Sequence, residues 1–156
     1  MQNNVKIFDA FSGFIFNRLY SNFPKCIEIV VDEDANEARA KDNSLKVICE
    51  NFSQSEMNII FSETILWLTN NGFIRFKTSQ PDRKRPACPM EYSAFYCVEL
   101  TINGLNLLKS PPPKTLSQTS VGDEIVASVK NGAYSEAGKI VTSAMFEFAL
   151  TKLGGK

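Results

Sequence analysis

The chain has 156 residues, 44% of them hydrophobic, with seventeen basic and seventeen acidic side chains and no histidine. That length suits one domain with an appendage, and twelve phenylalanines supply much of a sizeable core. Zero net charge excludes a global pull toward nucleic acid or anionic membrane, so any such attraction has to be local.

Residues 5–23 read as a first helix, because Phe8, Phe11, Ile15 and Leu19 recur at steps of three and four beside Ile7 and Phe14. Pro24 ends it. Ile27, Ile29, Val30 and Val31 predict a short buried strand. From Asp32 to Ser44 the chain turns polar, and Asp32, Glu33, Asp34 and Glu37 are expected in a solvated loop, with contact to a basic partner as the sharper alternative. Leu45, Val47, Ile48 and Phe52 suggest a second, short helix. Ser53-Gln54-Ser55-Glu56 has the form of a capping box and opens a third helix containing Ile60, Ile65, Trp67 and Leu68. Trp67 is expected in the core. Asn71-Gly72 stops this helix.

Phe73, Ile74 and Phe76 begin a strand with Arg75 and Lys77 interleaved. Residues 78–91, holding Pro81, Pro86 and Pro89, are expected as a loop, and Phe95, Cys97 and Val98 as the returning strand. Thr101 caps a helix that ends near Lys109. Ser110 and three prolines then predict a stiff connector. Two more helical segments follow, one capped by Ser120 with Asp123 and one spaced by Ala137, Val141, Ala144, Met145 and Phe148. The expected organisation is a domain over 1–109, a connector over 110–119 and a helical segment over 120–156. The last helix has more apolar positions than one stripe, so a homodimer through it is one expectation.

The order of helix, strand, basic tip, strand and closing helix over residues 53–108 carries a resemblance. Thr64-Ile-Leu-Trp-Leu-Thr-Asn-Asn-Gly-Phe-Ile-Arg75 resembles the end of a winged-helix third helix running into its first wing strand. Leu100-Thr-Ile-Asn-Gly-Leu-Asn-Leu-Leu108 resembles the segment after the second wing strand in many bacterial winged-helix regulators. The expected fold class is therefore α+β and mostly helical, a winged-helix core with a two-stranded wing and additional C-terminal helices. The resemblance implies DNA binding, with the third helix in the major groove and the wing on the backbone.

Charge argues against that implication. Between Ser53 and Asn71 stand Glu56 and Glu63 but no lysine or arginine, whereas phosphate neutralisation supplies most nonspecific affinity. Gln54, Ser55, Asn58 and Ser62 remain as candidate hydrogen-bonding contacts to a partner, protein or DNA. Arg75, Lys77, Arg83, Lys84 and Arg85 form the one concentrated basic group, suited to phosphate or to an acidic protein surface.

Catalytic chemistry is poorly represented. Without histidine the commonest base near neutral pH is missing, and no phosphate loop, nucleophile elbow or metal-ligand motif is visible. No catalytic residue, cofactor or metal is expected. Cysteines 26, 49, 88 and 97 fit no zinc ribbon and are expected as reduced thiols of a cytoplasmic protein, with a Cys88–Cys97 bridge as the alternative. No apolar run approaches the roughly 18–20 residues that span a bilayer, and no secretory leader or membrane partner is expected. The favoured expectation is a non-catalytic protein-binding module, for example an immunity protein or antitoxin that neutralises a toxin by direct binding. The alternative is a DNA-binding transcriptional regulator using the basic wing.

Overall fold

The structure, a computed structural model, describes residues 2–82, 91–112 and 119–153. Its elements are α1 (Gln2–Asn22), β1 (Ile27–Val30), α2 (Val31–Lys41), α3 (Asn43–Ile48), a 3-10 turn (Cys49–Asn51), α4 (Gln54–Asn70), β2 (Ile74–Arg75), β3 (Thr78–Pro81), β4 (Tyr92–Leu100), α5 (Ile102–Lys109), α6 (Val121–Lys130) and α7 (Tyr134–Leu153). The fold is α+β, with helices predominating around a small antiparallel sheet.

α1 is the central helix. Of its predicted face, Ile7, Phe11, Phe14, Ile15 and Leu19 are buried and Phe8 is partly buried, and Ala10, Ser12 and Phe16 on its other sides are buried as well. A helix covered all round needs neighbours all round, and α1 packs against α3, α4, α6 and α7. Phe11 meets Phe61 of α4 edge-on at 4.9 Å, and Phe14 meets Tyr134 of α7 at 5.4 Å. Each fully buried phenylalanine contributes about 2–3 kcal/mol.

The polar stretch expected as a loop is instead the helix α2. Val31, Asp34, Ala35 and Ala38 are buried at helical spacing, a narrow stripe of mostly small side chains that weak hydropathy conceals. Asp32, Glu33 and Asp34 fill its first turn and Arg39 and Lys41 its last, each matching the sign of the helix dipole. The carboxylate of Asp34 accepts from the Val30 amide at 3.0 Å and pairs with Arg18 at 2.8 Å.

β4 is the central strand. β1 pairs on one side of it, and β2 and β3 on the other. Ile27 lies opposite Val98 but Ile29 opposite Phe95, so β4 carries one extra residue there, a bulge. Thr78–Pro81, expected as loop, forms β3 against Tyr92–Tyr96. Pro81 ends that strand, where its missing donor is tolerated.

The bulge holds Cys97 at φ 54°, a left-handed conformation that costs a non-glycine residue about 1–2 kcal/mol. Cys97 is joined to Cys26 in a disulfide, with Cα atoms 4.8 Å apart. This corrects the expectation of reduced thiols for these two residues and gives Cys97 a partner other than Cys88, which lies outside the described residues. The spacing of 71 residues hid the pair, because only strand pairing brings Cys26 beside the bulge. Cys49 is free and buried.

Beyond the proline run, the chain returns to where it left. The Ser110 carbonyl accepts from the Val121 amide at 2.8 Å. Val121, Ile125, Ala137, Val141, Ala144 and Met145 join the same core as α1. Gly13 and Gly138 let α1 and α7 cross closely.

Candidate interaction surface around the fourth helix

α4 corresponds to the predicted third helix. Both arms of its capping box form: Ser53 Oγ accepts from the Glu56 amide at 3.1 Å, and Glu56 Oε2 accepts from the Ser53 amide at 2.9 Å. The helix is buried on several sides, through Met57, Phe61, Ile65 and Leu68 and through the polar residues Asn58, Ser62 and Thr64.

The four polar candidates on α4 are engaged inside the molecule. Asn58, only 7% exposed, donates through Nδ2 to Asp32 Oδ1 at 3.1 Å and to Glu91 Oε1 at 3.2 Å. Ser55 Oγ donates to Glu91 Oε2 at 2.8 Å, and Gln54 Nε2 donates to Asn58 Oδ1 at 2.8 Å. Ser62 is fully buried, donates to the Asn58 carbonyl at 2.8 Å and accepts from the Tyr92 amide at 3.2 Å. This network fastens the start of α4 to the start of β4 and to the first turn of α2. Ser62 is buried within this network, while Asn58 reaches the wall of an adjoining cleft. Gln54 and Ser55 line this cleft, of about 530 Å³, together with Asp32, Asp82 and Glu91. Glu91 is a participant that sequence reading missed, since no local pattern marks a glutamate buried by a contact 33 residues away.

The acidic and basic candidates are dispersed. Asp32 holds Asn58, Asp34 holds Arg18, Glu37 pairs with Lys41, and Glu33 is exposed. Burial pushes the Asp34 carboxyl above the usual carboxylate range, against the pull of Arg18. In the basic group, Arg75 pairs with Glu99 across β2 and β4 at 2.7 Å, and Lys77 is exposed. Arg83, Lys84 and Arg85 lie outside the described residues. No group of three or more acidic or cysteine side chains suited to a metal occurs among the described residues, and none of the described helices is long and apolar enough to cross a membrane.

What α4 turns outward is a different set. Trp67 is 44% exposed rather than in the core, and it rests edge-on against Phe8 of α1 at 5.2 Å. Around this pair runs a groove of about 550 Å³ lined by Asn4 and Phe8 of α1 and by Ile59, Ile60, Glu63, Thr64, Leu66, Trp67 and Asn70 of α4. The signal lay in the sequence: positions 59, 60, 61, 65, 66, 67 and 68 place apolar side chains around most of the helix, more than one buried face requires. No protein-family model, curated protein or solved structure matches this chain.

Proposed function

We propose that the chain is a non-catalytic protein-binding module on a winged-helix-like scaffold. The scaffold reading is supported by the order of helix, strand, helices and returning strands, with the first strand paired to the last. The binding reading is carried by one observation: α4, the helix that would enter a DNA groove, exposes apolar and acidic side chains and spends Gln54, Ser55 and Asn58 on hydrogen bonds within the molecule. A polyanion gains little from such a face, whereas a protein surface gains from its apolar area. Neutralising a toxin by occlusion, as an immunity protein or antitoxin does, is the form of this activity that asks least of the chain, a surface without chemistry. Self-association through α7 is part of the same reading, since Phe146 and Leu150 are exposed one turn apart. A cytoplasmic location no longer draws support from free thiols at Cys26 and Cys97.

Titration with random duplex DNA at low salt tests this reading, using wild type and a variant with Lys84→Glu and Arg85→Glu. No binding by either chain is the expected result. Salt-sensitive binding lost in the variant favours the alternative, a DNA-binding regulator that grips through its wing.

A further inference from the structure

We infer that the groove between α1 and α4 receives an amphipathic helix of a partner protein, one whose apolar stripe is bordered by lysine or arginine. The inference rests on the protein-binding reading and names the chemistry of the partner. The outward stripe of α4 runs from Glu56 through Ile59, Ile60, Glu63, Leu66 and Trp67 to Asn70, a stretch of about 21 Å or four turns. That is the footprint of a helix laid in a groove, read by anchors at steps of three and four. The edge-on contact with Phe8 fixes the half-exposed Trp67 ring before any partner arrives, which lowers the entropy cost of docking on it.

Charge selects among occupants. Among the described residues Glu63 is the only charged one lining the groove, and Glu56 stands two turns away on the same helix. Among the described residues, neither is ion-paired with a lysine or arginine. A second copy docked by a two-fold axis would set this acidic stripe against itself, and like charges in such contact oppose association. A helix with basic residues flanking its apolar stripe meets Glu56 and Glu63 with the opposite sign.

Trp67 is the only tryptophan in the chain, so its fluorescence reports on the groove directly. The probes are two designed 18-residue amphipathic helices, identical in their leucine face, one flanked by lysines and the other by glutamates. The lysine peptide is expected to give a saturable blue shift of Trp67 emission and to bind about tenfold more tightly than the glutamate peptide. Glu63→Lys, at a half-exposed position, is expected to weaken the lysine peptide about three- to tenfold and to strengthen the glutamate peptide. Equal binding of the two peptides, or binding of neither, overturns the inference. So does a blue shift that grows with concentration of the chain alone, which would put a second copy in the groove. If a purified protein partner keeps its affinity for Glu63→Lys, protein binding stands and this groove is not its seat. If the chain instead binds duplex DNA in the salt-sensitive manner described above, protein binding itself is overturned.

Discussion

Gly138 of α7 lies directly against the backbone of Asp9 in α1: a Cβ at position 138 would fall 1.7 Å from the Asp9 carbonyl oxygen. The same crossing admits no Cβ at Gly13, which would meet the Gly138 amide nitrogen at 2.7 Å. The obstructing atoms are backbone, so no side-chain rotation relieves them. Gly138→Ala is expected to force the two helices apart and to cost at least about 3 kcal/mol, the upper end for overpacking. Urea unfolding of the variant checks this, and a loss under 1 kcal/mol would mean that the helices do not cross so closely.

Asp42 joins two elements that are 93 residues apart. Its Oδ1 accepts from the Leu45 amide at 3.0 Å, capping α3, while Oδ2 accepts from the Ser135 amide at 2.8 Å at the start of α7. Asp42→Ala should lose the cap and leave the part-buried Ser135 amide unpaired, together about 2–3 kcal/mol. Ser135→Ala removes only the hydroxyl contact and should cost less than half of that. A double-mutant cycle read by thermal unfolding isolates the hydroxyl contact; full additivity would show that the Ser135 hydroxyl is not coupled to Asp42.

Much of this architecture was legible in the sequence wherever a local rule acted alone. The caps at Ser53, Thr101 and Ser120 and the stops at Gly72 and Gly132 stand where their residue types place them. The first helix followed from its apolar spacing. What was not legible depended on partners distant in sequence. α2 is held by alanines, whose burial gives almost no hydropathy signal, and β3 by its antiparallel pairing with β4. The hydrogen-bonding residues of α4 looked outward-facing because polar residues usually are; Glu91 and Asp32, from other elements, turn them inward. Trp67 failed the opposite way, since an apolar helix position is ordinarily core and here the neighbouring helix leaves one side uncovered.

The bond between Cys26 and Cys97 closes a loop of 71 residues and pins the start of β1 to the β4 bulge. Restricting an unfolded chain by a loop of this size stabilises the fold by about 4 kcal/mol in the chain-entropy description. Reductant, or the double change Cys26→Ala with Cys97→Ala, is expected to lower the midpoint of thermal unfolding to a similar extent. Mass spectrometry after thiol alkylation of the oxidised protein should leave Cys26 and Cys97 unlabelled. Prompt labelling of both without reductant would remove the bond from the native state.

Asn58 separates two carboxylates with one amide group, donating to Asp32 and to Glu91. Asn58→Asp replaces that donor with a third acceptor of the same charge. At neutral pH the variant should lose about 3 kcal/mol or more, because three carboxylates then share one partly buried site. Urea unfolding of variant and wild type at neutral pH checks this, and a loss under about 1 kcal/mol would mean that the site is open enough for water to take the amide's place.

Asp9 makes the stability of the α1–α7 contact depend on pH. Burial between α1 and α7 pushes its carboxyl above the ordinary value of 3.8, while the hydrogen bond from Thr142 and the charge of Lys139 pull it down less strongly. Thr142 Oγ1 donates to Asp9 Oδ1 at 2.7 Å. A carboxyl with a raised folded-state value binds its proton more tightly in the folded chain than in the unfolded one. Its contribution to stability is therefore complete below 3.8 and is lost as pH rises through the raised value. Asn at this position keeps an oxygen for Thr142 and has no proton to lose. Asp9→Asn should accordingly match or trail wild type in strong acid and gain on it as pH approaches neutrality. Paired denaturant titrations across that range test this, and a gap that widens in favour of wild type with rising pH would mean that Lys139 and Thr142, rather than burial, govern Asp9.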